Sequence, residues 1–217
     1  MDDIFKEVDE ELREERLTKI WKRIGPYVVG ILSGAIIITS AVIGYREYDE
    51  TQRQNWGVQF AEAMNLSEEG NWQESLDLFE TLTEKTNLGY KTLSLFQAAS
   101  LYAKNGNKEK ALEIYQSLEN EALDENFRDL ATLMLIYLQF DNADPEILEK
   151  RIEKLASKGN PWYYNAVELK GFLFAKQKNK EKQIEIFNIL SKDNKAPEGV
   201  RTRANDMLAI LGEEPQK

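Results

Sequence analysis

Residues 106–118 read GNKEKALEIYQSL, and residues 70–82 read GNWQESLDLFETL. A third stretch of the same kind, KNKEKQIEIFNIL, occupies residues 178–190. Each begins with a polar turn and continues with a small or medium-sized residue, an aromatic residue and a leucine, spaced four and three apart. That spacing places the three side chains on one face of a helix. The first two stretches are 36 residues apart and the third follows after another 72, so the pattern predicts an array of repeats.

A more apolar segment with helical periodicity precedes each stretch, over residues 56–69, 92–105 and 164–177. Each segment and the stretch after it therefore predict a pair of helices. A fourth pair is assigned to the longer interval, within residues 130–155, where Asp144 is a predicted helix cap and Pro145 a predicted first helical residue.

A final amphipathic segment over residues 199–211 is predicted to cap the open end of the array. The predicted fold is therefore all-α, an α-solenoid of about four helix pairs and a capping helix. A helical bundle without repeats is the alternative.

A membrane anchor is predicted near the N-terminus. Residues 25–45, GPYVVGILSGAIIITSAVIGY, contain no charge. As a helix, with a rise of about 1.5 Å per residue, they would reach roughly 30 Å, the thickness of a bilayer's hydrocarbon core. We therefore predict one transmembrane helix, preceded by an amphipathic segment over residues 1–24 and followed by a soluble domain over residues 46–217.

The orientation of the anchor follows from the basic residues beside it. More of them lie before the span than after it, which predicts a cytoplasmic N-terminus and a domain across the membrane. They are Arg16, Lys19, Lys22 and Arg23 before it, and Arg46 and Arg53 after it. The long acidic leader favours an uncleaved signal anchor over a cleaved signal peptide. The leader itself is either an interfacial helix, with Phe5, Val8 and Leu12 on its apolar face, or a cytosolic docking or degradation segment.

Gly30 and Gly34 form a GxxxG pair in the span, with Ala41 one heptad further on. Small residues at this spacing let two helix backbones approach closely. The pair therefore predicts helix–helix contact, either with a partner or with a second copy of the chain, which would give a homo-oligomer. The other interpretation is that Gly is simply frequent in membrane helices.

Composition weighs against several kinds of chemistry. The chain has no Cys and no His, so disulfides and thiol nucleophiles are excluded, and the commonest general base and zinc ligand are missing. Its net charge of −10 disfavours nucleic-acid binding. We therefore predict that the protein is not an enzyme and that it needs no cofactor or metal.

These features resemble the tetratricopeptide repeat (TPR), a helix–turn–helix unit of about 34 residues. The second repeat of this chain matches the small, aromatic, turn and packing positions of the TPR motif. The matching residues are Ala99, Tyr102, Gly106, Ala111, Tyr115 and Leu118. The fourth repeat departs from the motif, because Lys178 stands where the turn glycine is usual and Gln183 stands where a small residue is usual.

One span followed by a small TPR domain further resembles the YfgM family of ancillary Sec translocon subunits. Residues 2–23, DDIFKEVDEELREERLTKIWKR, and 159–179, GNPWYYNAVELKGFLFAKQKN, look like its α-proteobacterial branch. The resemblance implies a bacterial inner-membrane protein with a periplasmic TPR domain. It also implies association with the translocon and with periplasmic chaperones or client proteins. A scaffold for cell division or wall synthesis is the alternative function.

The TPR resemblance also implies a concave groove, lined by the first helix of each pair, that would suit a peptide. The predicted groove residues are Phe60, Met64, Phe96, Ser100, Lys104, Ile136, Phe172 and Lys176. The alternative assigns these side chains to the core. For Trp162, packing beneath the preceding helix pair is favoured over a recognition role.

Overall fold

The computed structural model describes residues 2–122 and 124–213, with side chains from residue 17 onward. Every regular element among these residues is a helix, which confirms the all-α prediction. In chain order the helices are α1 (Asp2–Glu68), α2 (Trp72–Lys85), α3 (Leu88–Lys104), α4 (Lys108–Glu121), α5 (Glu125–Gln139), α6 (Pro145–Leu155), α7 (Tyr163–Lys176), α8 (Lys180–Lys192) and α9 (Glu198–Ile210). The chain divides into two compact units, residues 1–57 and 58–217, and the helix pairs lie in the second.

Helix α1 is longer than the sequence predicted. We expected a new helix to begin near residue 56, whereas α1 continues through this region to Glu68. Polar side chains one turn apart support the helix after the apolar stretch: Arg53 pairs with Asp49, and Gln54 donates to Glu50 at 3.4 Å. Between the apolar stretch and Glu68 the chain contains no proline, the residue that would interrupt the backbone hydrogen bonds of the helix.

The apolar part of α1 contains an 18-residue window with a mean hydropathy of 2.1, and none of that window is buried. The helix is long and apolar enough to cross a membrane. The predicted apolar face of Phe5, Val8 and Leu12 lies outside the described side chains.

Three of the helix pairs are joined by the same three-residue connection. Its middle residue has a left-handed backbone, with φ of 87° at Gly70, 88° at Gly106 and 58° at Lys178. The next residue is Asn in all three, and its N–H bonds back five residues into the helix just ended, at 2.8 to 2.9 Å. This is the hydrogen bond of a Schellman motif, which satisfies a carbonyl at the helix end. The connection thus ends one helix and reverses the chain.

The same asparagines begin the second helix of each pair. The side chains of Asn107 and Asn179 accept hydrogen bonds from the N–H groups of Lys110 and Lys182, at 3.2 and 3.1 Å. Asn71 occupies the same position without such a side-chain bond. Two successive residues therefore stop one helix and cap the next.

The repeated aromatic positions form the core of the pairs. Phe79, Tyr115 and Phe187 are 0%, 4% and 0% exposed, and the leucines three residues later are equally buried. Burying each of these side chains contributes about 1.5–3 kcal/mol. Gly171 in α7 allows the Phe187 ring of α8 to pack directly against the backbone, because a Cβ there would lie 2.8 Å from that ring.

The third pair, α5 and α6, is connected differently. Asp144 caps α6 by accepting a hydrogen bond from the N–H of Glu146 at 2.8 Å, and Pro145 is the first helical residue. Both predictions for these residues are therefore confirmed. The final helix is also confirmed, over Glu198–Ile210.

The loop before α7 is tied to α5. The indole N–H of Trp162 donates to the carbonyl of Asn126 at 3.0 Å, and its ring packs against the core of α5, α6 and α7. The side-chain amide of Asn160 donates to Asp129 at 2.7 Å. The predicted packing role of Trp162 is therefore confirmed.

Lys178 provides a direct test of the turn geometry. A side chain in the left-handed region costs about 1–2 kcal/mol, so Lys178→Gly should raise the free energy of unfolding by about 0.5–1 kcal/mol. Gly106→Ala, at the equivalent position, should lower it by about 1 kcal/mol. Denaturant unfolding of the full chain in detergent, followed by circular dichroism, measures both. Loss of stability in Lys178→Gly would contradict the turn assignment.

Candidate partner-binding face

The first helices of the third and fourth pairs, α5 and α7, and the final helix α9 are joined on one side of the array by polar side chains. The carboxylate of Glu168 in α7 accepts two hydrogen bonds from the guanidinium of Arg203 in α9, at 2.7 and 2.8 Å. Tyr137 of α5 is close enough to interact with Asn165 and Glu168 of α7. We call Tyr137, Asn165, Glu168 and Arg203 the first-helix face.

This face combines a buried acid with a half-exposed base and phenol. The Glu168 side chain is 4% exposed, whereas Arg203 is 52% and Tyr137 is 45% exposed. The hydrogen bond to Glu168 raises the pKa of Arg203, which keeps its charge. Partial burial raises the pKa of Tyr137, which keeps its hydroxyl neutral. Arg and Tyr are enriched among residues that dominate binding energy at protein interfaces, so the face can offer directed donors to a partner.

The prediction that Ile136 lines the groove is wrong. Ile136 is fully buried in the core formed with α6 and α7, and it is the next residue, Tyr137, that is exposed. Helix α5 is buried around most of its circumference because it lies between α4 and α6. Helical periodicity therefore points to Ile136, one residue away from the side chain that is exposed in this part of α5.

The prediction that Lys176 faces a groove is also wrong. Its ammonium donates to the carbonyls of Phe140, Asp141 and Ala143 at 2.6, 2.9 and 3.1 Å. All three of its N–H groups are engaged in fixing the turn between α5 and α6. Lys176 therefore stabilises the third pair and has no donor left for a ligand.

The predicted aromatic groove residues are half-buried and contact the neighbouring helices. Phe60 lies edge to face against Phe79, with ring centres 5.4 Å apart, and Phe172 lies likewise against Phe187 at 5.5 Å. Phe96 packs between Tyr115 and Phe127. The larger part of each ring thus belongs to packing within and between pairs.

Three other predicted groove residues differ in exposure. Met64 is half-buried, while Ser100 and Lys104 on α3 are exposed. Ser100 and Lys104 therefore stay predictions as partner contacts.

The predicted contact residues of the span lie in the first unit. A Cβ added at Gly30 or Gly34 would meet nothing within 4 Å, and Ala41 is exposed. Both glycines thus leave their side of α1 open among the described residues.

Among the described side chains, no three His, Cys, Asp or Glu residues come together where they could hold a metal ion. What the second unit presents is a stack of helix pairs with accessible polar groups on its first helices. Such a stack defines the class of α-solenoid scaffolds, which bind partners over extended surfaces.

Comparison with known families places the chain within this class. Residues 18–195 match the family model described as a tetratricopeptide repeat-like domain. Because the match covers most of the chain, the protein belongs to the tetratricopeptide repeat-like family, whose domains serve as scaffolds for protein–protein interaction. No curated protein and no solved structure matches the chain significantly.

The role assigned to Lys176 is testable against Lys104, which occupies the equivalent position two repeats earlier. Lys176→Met leaves three carbonyls at a helix end without their donor, so the free energy of unfolding should fall by about 1–3 kcal/mol. Lys104→Met should change it by less than about 0.5 kcal/mol, because Lys104 is exposed. Chemical denaturation of the full chain in detergent compares the two variants. Equal losses of stability in the two variants would show that Lys176 does not stabilise the turn between α5 and α6.

Proposed function

We propose that this protein is a single-pass bacterial inner-membrane adaptor. In this proposal α1 crosses the membrane at residues 25–45 and carries a periplasmic TPR-like domain. The domain associates with the Sec translocon and with periplasmic chaperones or clients, and so assists the biogenesis of exported proteins. The observation that carries the proposal is an unburied apolar helix in the same chain as a TPR-like scaffold.

The membrane assignment is supported by the side chains of α1. Ile31, Ile36 and Ile38 are 72%, 67% and 66% exposed, and several neighbours are similar. Contiguous apolar surface of this kind is unfavourable in water and usually marks a contact with lipid or protein. The excess of Lys and Arg before residue 25 supports a cytoplasmic N-terminus.

The partner assignment is supported by the resemblance of residues 2–23 and 159–179 to the YfgM family. The domain is proposed to bind and not to catalyse. Support for this comes from the absence of His and Cys, which removes the residues that most often act as general base and nucleophile at neutral pH.

Crosslinking from within the membrane tests the partner assignment. At 100° per residue, Ile37 falls on the side of α1 that carries Gly30 and Gly34, and Leu32 falls opposite. A photocrosslinking amino acid at position 37 should capture translocon subunits in intact cells, with less capture from position 32. Capture of only cell-division or wall-synthesis proteins would favour the scaffold alternative and refute the translocon assignment.

The topology has its own test. A reporter enzyme that is active only in the periplasm, fused after Lys217, should be active, while the same reporter fused before residue 2 should be inactive. The reason is the positive-inside bias of the residues that flank the span. The reverse pattern of activity would overturn the proposed orientation.

A further inference from the structure

A cleft of about 560 Å³ opens where the connection between α6 and α7 meets the connection between α8 and α9. Its lining residues are Lys158, Gly159, Asn160, Tyr163, Tyr164, Asp193 and Lys195. We call it the edge cleft. Its volume lies within the range of about 300–1,000 Å³ that is usual for binding pockets. It shares no residue with the first-helix face, so it is a separate feature of the second unit.

The edge cleft is locally cationic in an acidic protein. The side chains of Lys158 and Lys195 are exposed, and neither makes an ion pair or hydrogen bond with any described residue. The one acid in the lining, Asp193, already accepts from the Tyr164 hydroxyl at 3.1 Å and from the Lys195 backbone N–H at 2.8 Å. Two ammonium groups therefore face one carboxylate, in a chain whose net charge is −10.

The walls of the cleft are held in place by buried and cross-connected groups. Asn160 donates to Asp129 of α5 and accepts from the backbone N–H of Trp162, which fixes the α6–α7 connection. The bond between Tyr164 and Asp193 links α7 to the α8–α9 connection. Partial desolvation and that bond both raise the pKa of Tyr164, so its proton is retained at neutral pH. A site with such walls loses little conformational entropy when it binds a ligand.

One wall of the cleft is aromatic. The rings of Tyr163 and Tyr164 lie edge to face with their centres 5.0 Å apart, and both are half-buried. An aromatic wall beside unpaired ammonium groups matches a ligand that carries a negative charge next to an apolar group.

We propose that the edge cleft binds a short acidic peptide segment of a partner protein. The carboxylates of the segment pair with Lys158 and Lys195, and a neighbouring apolar side chain packs against Tyr163. The proposal rests on the geometry of the repeat domain and does not depend on the membrane or translocon assignment.

A peptide fits the charges better than an anionic membrane does. Asp193 stands inside the cleft and opposes a dense anionic layer, whereas single carboxylates can be placed around it. The concave shape and the aromatic wall suit a protruding apolar side chain, which a flat layer of headgroups does not offer.

Fluorescence anisotropy with the full chain in nonionic detergent tests the proposal. The probe is a dye-labelled peptide of sequence DFEDL with an amidated C-terminus, and the matched control is amidated NFQNL, which has the same shape without the side-chain charges. The acidic peptide should bind at least about tenfold more tightly than the amide peptide, and salt near 1 M should remove most of the difference. Equal binding of the two peptides would overturn the proposal.

Charge reversal then locates the site. Lys158→Glu and Lys195→Glu should each weaken binding of DFEDL about fivefold or more, and together they should abolish it. Lys150→Glu changes an exposed lysine of α6 outside the cleft and should leave binding unchanged. All three positions are exposed, so thermal unfolding should show that the variants remain folded. Unchanged binding by the double variant would refute the site.

A competition experiment separates a peptide from a lipid. Short-chain phosphatidylglycerol, added below its micellar concentration, should displace the labelled peptide less effectively than unlabelled DFEDL does. If the lipid displaces it more effectively, the cleft is a headgroup site and the peptide assignment is wrong.

Discussion

The left-handed residue between the two helices of a pair is the constraint on which the repeat domain depends. At Gly70, Gly106 and Lys178 the backbone reverses, and the following Asn closes the old helix while it begins the next. Because the connection has a fixed length, the aromatic residue nine positions later always reaches the same place between the two helices. The buried rings of Phe79 and Tyr115 thus follow from a backbone geometry fixed nine residues earlier. Because the turn residue and the buried aromatic residue are always nine positions apart, the repeat can be recognised in the sequence.

The same reasoning explains what could be predicted and what could not. The pairs with this turn repeat their buried positions at a constant spacing, so periodicity located their cores. The third pair has a longer connection, in which Asp144 caps α6, and its sequence does not repeat the spacing that defines the register of the other pairs. The prediction for Ile136 is wrong because neighbouring helices enclose most of α5, so the sequence of α5 alone does not show which residue stays accessible. Lys176 was misplaced because its partners are backbone carbonyls some 35 residues away, which no side-chain pattern reveals.

The predicted groove and the observed surfaces differ for a related reason. In a short array the large residues of the first helices are needed for packing, and Phe60, Phe96 and Phe172 each contact a ring of a neighbouring helix. Apolar residues that stabilise the stack are therefore poor indicators of where a partner binds. Charged side chains also remain accessible, such as Arg203 on α9 and Lys158 and Lys195 at the edge of the array. The edge residues come from two connections far apart in sequence, so only the fold brings them together.

The two units of this chain differ in whether their apolar side chains are covered by other parts of the protein. In the second unit, apolar side chains at every turn-and-helix stretch are removed from water by a partner helix, which is what makes the pairs stable. In the first unit, the apolar window of α1 has no described residue covering it. At about 25 cal/mol per Å², leaving so many isoleucine and valine side chains in water would cost many kcal/mol. The helix pairs bury their apolar side chains against one another, whereas the apolar window of α1 is long and apolar enough to cross a membrane. A bilayer would cover this window without any specific partner, which is the physical reason why the proposed function places α1 in lipid and leaves protein contact through Gly30 and Gly34 as a second expectation.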